Sequence, residues 1–411
     1  MSTLIARNDA AIVRQVTTLT PTVTNLAVYD VLINTKLSGS YTADASATAQ
    51  EIVEGLKALL AAHLEPEYVE ATWTENDTTI IGTGPTTGHP FTVTDGAGSG
   101  TWASITTGTV AKSPNHWIAE NFTGGALPVS TDTVILSQLT EAQSFYWGLD
   151  QNAVALAVLD IRADSEAQIG LPERNSGGYY EYRDTHLKID AAILKIGDGS
   201  GNGSRRIKLN LTGSAAAAIT VYKTAANSAD PDEACVHLVG SHATNTLLLM
   251  SGSVDIAMLP NTTAQYSSIT ATGGRLRCGA GVTLATLEAA GNGSVETRGA
   301  VTTIRTRDNG SVQHLAGAIT TADVEGGPLT IKAKVALTIT TCNLYSGSVL
   351  DLSDSEGLIT LTNCNVYSTP SSPARIIDPN NRIVMSNPAA AQNGFQSLVI
   401  ESGPGKTIRL V

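Results

Sequence analysis

The 411-residue sequence predicts a mainly β chain in which a small N-terminal α+β domain precedes a parallel β-helix, that is, a β-solenoid. Three observations carry that class. Glycines followed two residues later by an aliphatic recur at Gly252-Ser-Val254, Gly274-Arg-Leu276, Gly293-Ser-Val295, Gly310-Ser-Val312, Gly327-Pro-Leu329 and Gly347-Ser-Val349, with successive glycines 22, 19, 17, 17 and 20 residues apart. Leu337–Ser346 (LTITTCNLYS) and Ile359–Ser368 (ITLTNCNVYS) match at an offset of 22, which sets Cys342 over Cys364, Asn343 over Asn365 and Tyr345 over Tyr367. With 15% charged residues, 5% aromatic residues and 38 glycines, the chain cannot fill a thick core, but Val, Ile, Leu and Ala can fill a narrow one.

The elements follow in order. Residues 1–20 read as an N-terminal arm and 21–112 as the α+β module. Within the module, Leu37–Ala43 alternates like a strand. Thr48–His63 is the best helix, with Ile52, Leu56, Leu59, Leu60 and His63 on one face, Thr48 and Glu51 as a capping box, and Pro66 blocking its continuation. Strands are predicted at Tyr68–Thr74, Thr78–Thr83 and Pro90–Thr94, with Asn76-Asp77 turning the first hairpin, giving a ββαββ unit. The Gly/Ser/Thr-rich passage Thr94–Ser113 reads as a boundary. Residues 113–186 form a capping and lead-in region in which Trp117 covers the open end of the first coil. Residues 187–370 form the solenoid, and 371–411 a C-terminal cap.

Repeat lengths that vary between 17 and 22 argue against a strict hexapeptide coil and favour an irregular, right-handed one. Stacked Asn side chains then form an amide ladder and stacked Tyr rings a column. The doubled NGSV, Asn292–Val295 and Asn309–Val312, reads as two corners of successive coils where Gly or Asn takes positive φ. Cys235, Cys278, Cys342 and Cys364 lack zinc spacing and read as buried, reduced small hydrophobes.

The formal charge of −12 and the lack of a basic stripe exclude nucleic acid as the expected partner. No apolar run is long enough for a membrane helix, and the N-terminus lacks the pattern of a secretory signal. No nucleophile elbow, zinc-protease helix or Cys/His pair is present, so the expectation is a non-enzymatic protein without cofactor. The weak metal candidate is Asp198, Ser200 and Asn202, which start like a calcium loop but meet Leu209 where the twelfth-position acid belongs. A weak binding candidate is Tyr179, Tyr180, Tyr182 and Arg183, beside Glu181, Asp184 and His186; such a cluster suits a packed interface or a sugar. The acids Asp230, Asp232 and Glu233, and Asp351, Asp354 and Glu356, read as solvated turns rather than a hydrolytic pair.

The succession Ser40–Ala43, Ala49, Ile52, Gly55, Leu56, Val69, Ala71 and Thr87–Val93 resembles a small module of tailed-phage virion proteins and flagellin-type insertions. Asn115–Leu136 resembles the opening segment of β-helical surface and fibre proteins. These resemblances imply a fibre, spike or decoration protein of a bacteriophage particle, assembled in the host cytoplasm. Its partners would be other virion proteins and further copies of itself, a trimer being favoured, with host surface glycan as a further candidate. A glycan-binding adhesin or a polysaccharide-cleaving tailspike is the alternative.

Overall fold

The computed structural model describes residues 2–146, 150–172, 174, 181, 183–203, 205–213, 215–225, 234–387, 397–403 and 409–410. Among them, 24 strands join in one continuous system whose pairings are parallel, which makes this part of the chain a β-solenoid. From Leu187 onward each turn adds one strand to each of two series. One series runs through Ala264–Ala271, Val282–Ala289, Val301–Arg307, Ile319–Glu325, Leu337–Tyr345 and Ile359–Tyr367; the other through Ser253–Ile256, Arg275–Cys278, Ser294–Thr297, Ser311–His314 and Pro328–Ile331.

The long strands bend because their alternation breaks once. In Val282–Ala289 the residues Val282, Leu284, Leu287 and Ala289 are buried, so Ala285 and Thr286 point outward in succession. The ladder skips that position, pairing Leu284 with Val301 and then Thr286 with Thr303. A side-chain period of two cannot put neighbouring residues on one face, so the chain turns a corner there. Each turn thus has three flat segments around a narrow core.

The core columns explain the glycine-spaced aliphatics. Val254, Leu276, Val295, Val312, Leu329 and Leu350 stack in successive turns, all at most 1% exposed. The last member is displaced by one residue from the sequence reading: Pro328 pairs with Val349, so Leu350 continues the column. The doubled NGSV stacks as expected, Ser294 on Ser311 and Val295 on Val312. Its glycines serve another purpose than the one read from sequence. Positive φ falls on Gly291 and Asp308, not on Gly293 or Gly310. A Cβ on Gly293 would stand 2.1 Å from the Ala271 carbonyl oxygen, and one on Gly310 2.3 Å from the Ala289 carbonyl carbon. Those glycines are required by the close approach of the preceding turn's backbone.

The solenoid pairing starts at the arm. Thr3–Ile5 pairs in parallel with Thr133–Leu136, which pairs with Asp150–Arg162. Ser2 anchors this first strand by donating from its backbone N and Oγ to Asp132 Oδ1 at 2.9 and 2.7 Å. Over the first coil lie Trp117, Phe122 and Phe145, with Trp117 ring centroids 4.9 and 5.1 Å from the two phenylalanines. Trp117 is 2% exposed and packs in the same core as Leu4 and Val134.

Between the first strand and the rest lies the α+β unit, closed at its neck by reciprocal backbone bonds between Val13 and Lys112. Helix α1 (Ala49–Ala62) carries the predicted N-cap, with Thr48 Oγ1 accepting from Glu51 N at 3.1 Å. The reciprocal half of the capping box is replaced: Glu51 accepts from Tyr41 Oη and Asp44 N. Ile52, Val53, Leu56 and Leu60 are buried against Tyr29, Trp73 and Phe91. Pro66 does not simply end the helix; it opens a second short one, α2 (Pro66–Val69), so strand begins at Thr72 rather than Tyr68. The main sheet is antiparallel in the order Trp102–Thr109, Val16–Pro21, Thr79–Thr83, Thr72–Asn76. Two of its strands come from the arm and from the Gly/Ser/Thr-rich passage, so eight residues of that passage, Trp102–Thr109, are ordered sheet. The strand expected at Leu37–Ala43 is reduced to two-residue pieces, Lys36–Leu37 and Tyr41–Thr42, and the one expected at Pro90–Thr94 to Val93–Asp95, which pairs with Val31–Ile33 in a separate small sheet.

Candidate functional site

The cluster around Arg183 sits at the junction of the unit and the solenoid. Tyr179, Tyr180 and Tyr182 lie outside the described residues. Arg183 donates to Glu181 through Nε and Nη2 at 2.8 and 3.1 Å, and meets both oxygens of Glu70, on the α+β unit, at 3.0 and 3.1 Å. A guanidinium held by two carboxylates across two parts of the chain fastens them together. His89, 3.7 Å from Glu70, and His116 line the same region; burial pushes both down to about 4. His186 is likewise pushed down to about 4, first by burial and then by Lys208.

Asp198, Ser200 and Asn202 occupy a glycine turn in which Gly199, Gly201 and Gly203 take positive φ. Asp198 Oδ2 lies 3.7 Å from Lys195 Nζ and 3.9 Å from Arg162 Nη1, so cationic side chains already face its carboxylate. Leu209 is core. Among the described residues no three His, Cys, Asp or Glu side chains come together as metal ligands. Asp354 pairs with Lys332 at 3.0 Å and Asp351 accepts from Ser353 N, while Asp230, Asp232 and Glu233 lie outside the described residues. All four cysteines are buried, and desolvation raises the Cys342 thiol well above its ordinary value and Cys364 to about 11.

The outward face of the long strands holds an ordered polar surface. Pairing aligns Thr303, Arg305 and Arg307 with Thr321, Asp323 and Glu325. The next turns bring Thr341, Asn343 and Tyr345, then Asn363, Asn365 and Tyr367. These are alternate residues on adjacent parallel strands, so they form a flat grid with steps of roughly 4.8 Å across strands and roughly 6.6 Å along them. Inside the grid, Asn343 Nδ2 donates to Asp323 Oδ1 at 2.7 Å and Asn365 Nδ2 to Asn343 Oδ1 at 2.8 Å. Tyr345 and Tyr367 stack with centroids 5.1 Å apart and planes 24° apart. Arg305 faces Asp323, Glu325 and Glu288 at 3.2, 3.5 and 3.8 Å; Arg307 faces Glu325 and Glu288 at 3.1 and 3.9 Å. Burial, followed by Asp323 and Glu325, raises the Tyr345 phenol.

One edge of the grid is a hydroxyl column. Thr246, Ser268, Thr286, Thr303, Thr321 and Thr341 follow one another in register. None of these hydroxyls has a partner among the described residues. The amide ladder and the tyrosine stack were legible in the sequence, whereas the hydroxyl column left a weaker trace. Its signal was the recurring pair at the corner, as in Thr302-Thr303, Thr320-Thr321 and Thr340-Thr341.

Fold and site together define a β-solenoid with an inserted α+β unit and a laddered polar face. The chain matches no protein-family model, no curated protein and no solved structure.

Proposed function

We propose that the chain is a structural component of a bacteriophage particle, a fibre, spike or decoration protein whose solenoid holds a rigid surface for assembly or host attachment. The observation that supports this reading best is the continuous parallel system of 24 strands that joins Thr3–Ile5 to Arg409–Leu410, which keeps the solenoid's open sheet edges at the two ends of the coil. A right-handed coil is proposed with it, since parallel crossovers are right-handed in about 98% of cases. The particle itself is suggested by the resemblance of residues 20–95, where the α+β unit would serve as the attachment module. Other virion proteins and further copies of the chain, as a trimer, are the proposed partners.

Imaging of the native assembly tests the proposal. The expected result is rod-like density on a head or tail, with sedimentation of the purified chain giving a trimer. Antibody labelling that finds the chain on no particle would overturn the assignment, and a monomer at all concentrations would remove the trimer. Host-glycan adhesion is the second reading, favoured by the row of hydroxyls that has no partners among the described residues.

A further inference from the structure

We infer that the outward face of the long strands binds an uncharged linear polysaccharide lying along the solenoid axis. This deepens the glycan-adhesion reading, on which it rests, by naming the class of polymer, and it is independent of the particle assignment. The hydroxyls of Thr286, Thr303, Thr321 and Thr341 repeat one per turn, each on a strand paired to the next. Their step is uniform at roughly 4.8 Å because hydrogen-bonded strands fix it. A ligand that satisfies such a row must itself repeat, offering a donor or acceptor at each step, as a polyol chain does.

Charge selects among repeating polymers. Across the turns from Val282–Ala289 to Ile359–Tyr367, Arg305 and Arg307 are the cations of the face; Glu288 and Glu325 engage both and Asp323 engages Arg305, so carboxylates outnumber guanidiniums there. A polyanion such as nucleic acid, a sulfated glycan or a polyuronate meets a net negative surface with its cations already occupied. Neutral hydroxyls meet hydroxyl and amide groups instead. The amides of Asn343 and Asn365 are locked in their ladder before any ligand arrives, which reduces the side-chain ordering that binding otherwise costs. At the border of the grid Tyr367 is 37% exposed and offers ring carbon to the C–H surface of a sugar.

Affinity electrophoresis of the full chain through gels containing dextran, mannan or galactan tests this, with hyaluronate as the acidic comparison. At least one neutral polymer is expected to retard the native protein, and hyaluronate is not. Combined Thr303→Val, Thr321→Val and Thr341→Val, which keeps side-chain shape and removes three hydroxyls, is expected to weaken binding at least tenfold with an unchanged unfolding midpoint. The matching triple substitution to Ser restores the hydroxyls and should bind like the native protein, and Thr283→Val, on the segment before the corner, should change nothing. If the Val triple does not fold, Thr321→Val alone is expected to weaken binding two- to fivefold. Lack of retardation by all three neutral polymers, equal retardation of the Val variants, or preference for hyaluronate would each overturn the inference. A chain that mounts on particles yet binds no neutral polymer sinks this inference alone.

Discussion

Replacing Gly310 by Ala probes the packing of one turn on the next. A Cβ at this position would lie 2.3 Å from the carbonyl carbon of Ala289, 2.4 Å from its oxygen and 2.4 Å from the Ala290 nitrogen. All three atoms are backbone, so no side chain can swing aside. Restoring ordinary contact requires the turns to part locally by about 1 Å, which takes hydrogen bonds of normal length out of range. The bond between turns nearest the strain is Ser311 N to Gly293 O, at 2.9 Å. Losing it costs about 1 kcal/mol, and overpacking adds about 1–3 kcal/mol, for a total of about 2–4 kcal/mol. Gly108→Ala is the matched control, since a Cβ there meets nothing within 4 Å and its φ is ordinary. That substitution should be neutral, or stabilising by about 0.4–1 kcal/mol through the unfolded chain. Denaturant unfolding gives the free energies, and hydrogen exchange shows where the damage falls. Protection should be lost in the turns around Ala289 and Gly310 and kept in the α+β unit, because solenoid stability is largely a sum of neighbouring interfaces. A Gly310→Ala protein within about 0.5 kcal/mol of the native one, or indistinguishable from Gly108→Ala, would refute the reasoning.

Acid should destabilise the chain through His89, His116 and His186, each pushed down to about 4 in the folded state from an ordinary value of about 6.5. The unfolded chain then binds more protons, so stability falls as pH drops from about 6.5 to about 4 and levels off below; up to about 3 kcal/mol per histidine is at stake, and a flat profile of melting temperature over that window would contradict it. Asn343→Leu breaks the amide ladder at its centre, leaving Asp323 Oδ1 and Asn365 Nδ2 without their present partners at a cost of about 1–3 kcal/mol, read as a lower unfolding midpoint. Cys342 and Cys364 should resist thiol reagents in the native protein and react on unfolding, because burial disfavours both access and the thiolate; rapid labelling without denaturant would show the core to be open there.

What could be read from the sequence was whatever repeats at one turn's distance. Cys342 on Cys364, Asn343 on Asn365 and Tyr345 on Tyr367 all align, because matched segments in a parallel stack keep their register. The α1 helix was legible for a local reason, since cap and apolar stripe lie within sixteen residues. Pairings between distant segments were not legible. The strand Thr3–Ile5 is three residues long, and its partner lies beyond an entire inserted unit, so neither period nor turn chemistry reveals it. The passage Trp102–Thr109 looked like a linker because small polar residues are common to linkers and to exposed strands; six of its eight residues lack the large apolar side chains that would have marked a strand, which only Trp102 and Ile105 carry. Gly293 and Gly310 were recognised as special positions, but a glycine kept for the approach of a neighbouring backbone leaves the same trace in sequence as one kept for positive φ. In the polar face, the amide ladder showed itself through identical residues, whereas the charged pairs of Arg305 and Arg307 showed nothing until the turns were aligned.

The first strand also sets a timetable. Thr3 cannot pair until Thr133 exists, and at a synthesis rate of about 5–20 residues per second it waits roughly 6–26 seconds for it. During that interval the segment Val13–Lys112 is complete, and closing its neck holds the waiting strand beside the place where its partner will emerge. A long search by a free chain end becomes a short one, because the loop still to be closed no longer includes the inserted unit. The insertion is then a clamp as much as an appendage, and a nascent chain carrying it can seat the coil's first turn as soon as Leu136 leaves the ribosome.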